Sequence, residues 1–421
     1  MNGHIDDVTR PATISRMFAP TEASTQAPLD APQSPPHAQI RKQSPLVEHS
    51  QGMKHNQITD HVSVTNHAQL SDHTNVTDRT RITHITHVST TTDDATALSD
   101  IIPPMPQSSQ FRHTFNLLIN TIARAVIGKD EPIRRCVIAL IAGGHVLLED
   151  NPGTGKTQLA RAMAHSIDVA FRRIQFTPDL LPSDITGATI YNQRQGNFEF
   201  RKGPAFTSIL LADEINRASP KTQSALLEVM EERNVTVDGI THDVPDPFMV
   251  IATQNPAEHM GTYMLPESQM DRFLIATSLG YPSHEASLDI LRQPDALDRA
   301  GTITPVVDGS EVLELRRIAA SVHVDDAIRE YIVHLVEATR HDETITLGVS
   351  TRGALALLRC ARVQAASQGR SYVTPDDVRD LAIVVLAHRL KLSSDSVFEH
   401  VTADDVIKRI LNITPVPSLG G

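Results

Sequence analysis

The segment Asn151-Pro152-Gly153-Thr154-Gly155-Lys156-Thr157 follows an apolar run, Val146 to Leu148, and precedes the helical pattern of Leu159, Ala160, Met163, Ala164 and Ile167. Glycines there let backbone N–H groups turn inward around phosphate, and a helix N-terminus favours negative charge. Lys156 would neutralise the outer phosphates, and the Thr157 hydroxyl could ligate Mg²⁺. The strict GxxxxGK[ST] spacing fails only at its first glycine, where the chain has Asp150. A Gly-rich turn that merely caps a helix is the competing reading.

A phosphate cradle does not by itself hydrolyse anything. The run Ile209-Leu210-Leu211-Ala212-Asp213-Glu214 is an apolar strand ending in two acids. Asp213 suits Mg²⁺ coordination through water, and Glu214 suits polarising the water that attacks a terminal phosphate. Alone, the same pattern would fit an acidic helix cap. Asn255 follows a third apolar strand, Phe248 to Thr253, where an amide could orient that water; an Asn-Pro turn explains it equally well by itself. Arg272 and Arg352, the second at the start of a helical pattern, are candidate stabilisers of developing charge, although most arginines are simply solvated.

The elements that must position these residues show two periodicities. From Val146 to Ala252 short continuous apolar runs alternate with amphipathic helical patterns, as expected of a parallel sheet covered on both faces. Beyond Pro282 strand-like runs nearly vanish and helices are predicted at about 283–293, 310–320, 325–341, 351–367 and 375–390. Ser350 and Thr374-Pro375 mark two of the helix starts. Order is expected from about Phe111, with the divisions 1–107, 108–282, 283–395 and 396–421: a disordered tail, an α/β nucleotide-binding domain, an all-α domain and a C-terminal extension.

The tail is rich in Ser, Thr, Pro, Gln, Asp and His, and His49, His55, His61, His67 and His73 recur at every sixth residue. A weak metal-binding or pH-sensitive segment would use such imidazoles, but a low-complexity expansion is the simpler reading. The net charge of −12 over 421 residues argues against an electrostatic grip on nucleic acid. Cys136 and Cys360 lack metal or disulfide spacing, and no apolar run could span a bilayer. A cytoplasmic protein without membrane insertion is expected.

The order of phosphate loop, acid-tipped strand, strand-end Asn, Arg before a final strand and Arg in a helical lid resembles AAA+ ATPases. Within them, LLEDNPGTGKT, ADEINRASPKTQSALLEVMEE, ATQNPAEHMGTYMLPESQMDRF and STRGALALL resemble the MoxR family, over about residues 111–395. The resemblance implies a P-loop AAA+ core with a parallel sheet and a C-terminal all-α lid. It places Asp150 through Thr157 in Walker A, Asp213 and Glu214 in Walker B, Asn255 at sensor 1, Arg272 as an arginine finger and Arg352 at sensor 2, with ATP and Mg²⁺ as cofactors. It also implies a homo-oligomeric ring, expected to be hexameric, chaperone-like action on a client, and a von Willebrand factor A domain partner. Asp184–Lys202 and Val235–Pro245 resemble pore-facing inserts. Alternatives that share this layout are a magnesium-chelatase-like motor, a nucleic-acid translocase and a nucleotide-gated scaffold. Whether Arg352 serves its own or a neighbouring nucleotide stays open at this stage.

Overall fold

The computed structural model describes residues 106–255, 262–292 and 298–418. The histidine repeat and residues 1–105 of the expected tail lie outside them. Helices α1 (Pro106–Ala123) and α2 (Asp130–Ile141) lead into strand β1 (Val146–Glu149) and helix α3 (Lys156–Ser166). Strand β2 (Phe171–Gln175) is followed by a five-residue helix α4 (Pro182–Thr186) and the hairpin β3 (Gly187–Asn192) and β4 (Asn197–Lys202). Then come β5 (Ile209–Asp213), α5 (Pro220–Glu232), a second hairpin of β6 (Asn234–Val237) and β7 (Ile240–Asp243), β8 (Met249–Gln254), α6 (Glu267–Met270) and β9 (Ile275–Thr277).

Strands β2, β5, β8, β1 and β9 form, in that order, one five-stranded parallel sheet. Its side chains alternate between two apolar clusters. Val146, Leu148, Ile209, Leu211, Met249 and Ile251 face α1, α2 and α3, whereas Leu147, Leu210, Ala212, Val250 and Ala252 face α5. Burial on both faces explains why these strands read as unbroken apolar runs.

The remaining elements are mostly helical: α7 (His284–Leu291), α8 (Gly309–Ala320), α9 (Asp326–His341), β10 (Ile345–Leu347), α10 (Thr351–Ser367), α11 (Pro375–Leu386), β11 (Lys391–Leu392), α12 (Ser394–Phe398) and α13 (Ala403–Ile413). The predicted starts are capped as their residue types require. The Ser350 hydroxyl accepts from the Gly353 N–H, and Asp377 accepts from the Thr374 N–H at 2.8 Å. The strands β10 and β11 pair antiparallel; at three and two residues they are too short to carry a recognisable alternation. Helix α13 buries Val406, Ile407, Ile410 and Leu411 in the same apolar cluster as α8 to α11, so the helical unit extends beyond residue 395. Cys136 and Cys360 are free and buried, with both thiols pushed up to about 12 by burial. No helix among the described residues is long and apolar enough to cross a membrane.

Candidate functional site

Between β1 and α3 the chain turns through two left-handed glycines, Gly153 with φ 84° and Gly155 with φ 96°. A Cβ at either would meet nothing within 4 Å, so the backbone conformation rather than crowding demands glycine. The Lys156 ammonium folds back over this loop, donating to the carbonyls of Asp150 at 3.1 Å and Asn151 at 2.8 Å. Helix α3 starts at Lys156, so its unpaired N–H groups and positive dipole end open onto the same space as that ammonium.

Asp150 contributes in a way its motif position does not suggest. It is buried, and its carboxylate accepts from Ser278 Oγ at 2.8 Å, Leu279 N at 2.7 Å and Gly280 N at 2.8 Å. Its backbone belongs to the loop, while its side chain fastens the loop's base to the segment after β9. A glycine here could not form that tie.

The two acids sit at the same sheet edge. Asp213 Oδ1 accepts from Thr253 Oγ1 at 2.6 Å, and Oδ2 accepts from Arg173 Nη2 at 2.6 Å. The Thr253 hydroxyl also accepts from the Glu214 N–H at 2.9 Å, so one β8 side chain sets both acids. Glu214 itself is a non-glycine residue at φ 57°, a sparsely populated conformation that costs of order 1 kcal/mol or more. Its Oε2 accepts from Gln175 Nε2 at 2.6 Å and pairs with Arg217 Nε at 3.0 Å. Asn255, directly after β8, is buried on the same side.

Asp150, Pro152 to Thr157, Asp213, Glu214 and Asn255 thus line one cavity of about 410 Å³. The exposed Asn151 is held beside it by the Lys156 contact. The cavity is large enough for part or all of a nucleotide. The Thr157 hydroxyl and Asp213 carboxylate are hard oxygen donors, and no group of three metal-ligating side chains occurs among the described residues. Such a sparse oxygen set fits Mg²⁺, which usually keeps water and substrate phosphate as its other ligands. Arg173, Gln175, Arg217 and Thr253 were not among the sequence candidates. Gln175 and Thr253 could have been found by inspecting polar residues in the last positions of parallel strands, where ligands of such sheets gather.

Arg272 and Arg352 are brought together, but elsewhere. They line a second cavity of about 240 Å³ with Gly143, His145 and Glu231. Arg272 Nη1 lies 2.5 Å from Glu231 Oε2 and donates to the Leu227 carbonyl at 2.9 Å; Arg352 Nη2 lies 2.5 Å from Glu231 Oε1. One carboxylate therefore holds one oxygen toward each guanidinium. This cleft adjoins the residues that enter β1, whereas the phosphate loop leaves it, so the arginines and the cradle occupy opposite ends of the strand. His145 is fully buried there, its Nδ1 accepting from the Val250 N–H at 2.9 Å and its Nε2 3.0 Å from the Met230 carbonyl. Burial pushes its pKa down to about 4, the neutral ring being the form this pair of contacts fits.

Known proteins resemble this chain. Residues 145–275 match the ATPase family associated with various cellular activities, and residues 337–410 match the AAA lid domain. The uncharacterized Bacillus subtilis protein YeaC is 49% identical over 299 residues, covering 71% of this chain and 93% of that protein. The Mycobacterium tuberculosis protein named chaperone MoxR1 is 41% identical over 320 residues, covering 73% and 83%. A crystal structure from Cytophaga hutchinsonii superposes with a TM-score of 0.70 at 37% identity, covering 77% of this chain and all of that one.

Proposed function

The chain belongs to the MoxR family of AAA+ ATPases, and from that premise we propose that it works as a homo-oligomeric ring, with hexamers the expected form, coupling ATP hydrolysis to remodelling or maturation of a partner protein. The observation that carries the ring is the segregation of charge-stabilising arginines from the chain's own nucleotide cavity. A neighbour's Arg272 can complete a site that the same chain leaves open. Arg352 shares the Glu231 carboxylate with Arg272, so it is assigned to the neighbouring nucleotide as well.

In this reading the α3 N-terminus and Lys156 bind the phosphates, while Thr157 and Asp213 would hold Mg²⁺. That ion would neutralise phosphate charge when bound. Glu214 accepts the proton of the attacking water and Asn255 orients it. One oxygen of Glu214 is committed to Gln175 and Arg217, which holds the acid in place. Arg272 stabilises the charge that develops on the transferred phosphoryl group.

The two hairpins are the proposed contact with client. Ile190, Tyr191, Phe198 and Ile240 are exposed on them, and Phe200 of one stacks on His242 of the other with ring centroids 4.4 Å apart. A client carrying or accompanied by a von Willebrand factor A domain is proposed on family grounds, in the cytoplasm.

The test is ATPase rate against protein concentration, with Glu214→Gln as control and co-purification from that ATP-holding variant. Turnover per subunit that rises cooperatively, vanishes in the variant and brings down a specific protein supports the proposal. Turnover independent of concentration, in a chain that remains monomeric with ATP, rejects it.

A further inference from the structure

We propose that Arg389, in the helical domain, is a positioning residue for Arg272. The inference rests on Arg272 acting on a neighbour's nucleotide, and concerns what holds it ready.

Arg389 follows α11 in a short helical turn and is only 4% exposed. Its guanidinium spends every nitrogen. Nη1 donates to the Asp271 carbonyl at 2.6 Å and also to the Asp271 carboxylate; Nη2 donates to the Phe273 carbonyl at 2.6 Å; Nε donates to the Val385 carbonyl at 2.7 Å. The carbonyls of residues 271 and 273 flank Arg272, so one buried fork fixes the backbone on both sides of it. The Arg272 side chain is about one-third exposed, and its contacts are Leu227 and Glu231 on α5. Its reach into a neighbouring site is therefore set by where its backbone starts.

The clamp continues into the helical domain. The other Asp271 oxygen accepts from Ser350 Oγ at 2.9 Å, and Ser350 caps the helix that carries Arg352. The chain Arg389–Asp271–Ser350 thus sets both arginines of the cleft against one another. Gly353 keeps the first turn of α10 close to its neighbours: a Cβ there would lie 2.3 Å from Val349 Cγ1 and 3.1 Å from Arg389 Cδ. Lysine could replace the charge but not the three-directional fork. A buried arginine so paired could serve stability alone, and the experiment has to separate the two roles.

Full-length Arg389→Lys and Arg389→Met are expected to lose about 10²-fold in kcat, the scale of a 1 Å misplacement of a reacting group, with ATP affinity and assembly retained. The decisive measurement mixes each variant with Glu214→Gln subunits. An Arg389 variant brings an intact Glu214, and its neighbour brings a well-held Arg272, so two inactive preparations should regain turnover on mixing. Ser350→Ala, a milder change, should give a smaller loss that is rescued in the same way, and remains informative if the Arg389 variants fold poorly. Unchanged kcat in both Arg389 variants, or a loss that mixing does not restore, overturns the proposal. Arg272→Ala mixed with Glu214→Gln is the control: failure of that pair to recover overturns the trans role of Arg272 itself, a separate result.

Discussion

At the scale of single residues, the groups suited to phosphate and metal differ from those that hold them in place. Lys156, Thr157, Asp213, Glu214 and Asn255 stand out because phosphate and metal chemistry needs those types at strand ends and at the start of the helix that follows the phosphate loop. Thr253, Gln175 and Arg173 do not stand out, since hydroxyls, amides and arginines are common and only the sheet register brings them to the acids; Gln175 lies opposite Asp213 across β2 and β5. Asp150 illustrates the gap best. Its motif position says phosphate loop, whereas its carboxylate takes three hydrogen bonds from residues 278–280. Asp150→Ala would leave the Leu279 N–H without its acceptor and the Gly280 N–H with Ser278 Oγ alone, and is expected to cost about 1–3 kcal/mol by urea denaturation. Asp150→Asn keeps one acceptor oxygen and should cost less; equal, negligible losses would contradict the tie. For Glu214→Gln the expectation is different in kind. Stability and ATP binding should persist while turnover drops by about 10² to 10⁴, the usual range for a general base, and a variant that still turns over rapidly would remove Glu214 from that role.

At the scale of elements, periodicity carried the argument where each element packs by its own pattern. The Asp238-Gly239 pair anticipates the β6–β7 turn, and both residues take the positive φ values, 52° and 78°, that this tight turn needs. What no local pattern reveals is the stacking of Phe200 on His242, because it joins hairpins some forty residues apart in sequence. Helix α13 had a readable apolar stripe, but it lies beyond the stretch that carries the family resemblance. The base of the β3–β4 hairpin offers a sharp test of element geometry. A Cβ on Gly203 would stand 2.3 Å from the Ile185 carbonyl oxygen and 2.5 Å from Gly187 N, both backbone atoms that cannot step aside. Gly203→Ala is therefore expected to displace the hairpin while sparing the sheet, at about 1–3 kcal/mol. Limited proteolysis should then cut within 187–202 at protease levels that leave this hairpin of the native chain uncut, with ATP binding unchanged; a protease map identical to the native one would show that the base tolerates the methyl.

At the scale of the whole molecule, the sheet face lined by Val146, Leu148, Ile209 and Ile251 shares one apolar cluster with α1, α2 and the helical domain. The opposite face, which carries Val250 and packs with Met230 and Phe273, is tied down by two histidines. His145 links β1 to α5 and β8, and His388 lies 3.1 Å from the Phe273 carbonyl through Nε2. Burial lowers their pKa values from 6.5 to about 4 and about 3. Since the unfolded chain takes up protons near pH 6.5 and the folded chain does not, their contribution is intact above that pH and declines as pH falls. Each should remove about 1.4 kcal/mol of stability per pH unit until its folded pKa is reached, so His145 alone accounts for about 3 kcal/mol between pH 6.5 and pH 4. Urea unfolding at pH 7.5 and 4.5 measures this directly. His145→Gln supplies a neutral acceptor and donor that do not titrate, and each protein compared with itself at pH 7.5 should show the variant losing less on acidification. Helical and near-sheet probes should report one coincident transition in both, because the core is shared. If the native chain and the variant lose stability in parallel, His145 is not the acid-sensitive joint, and titrating carboxylates elsewhere dominate the fall.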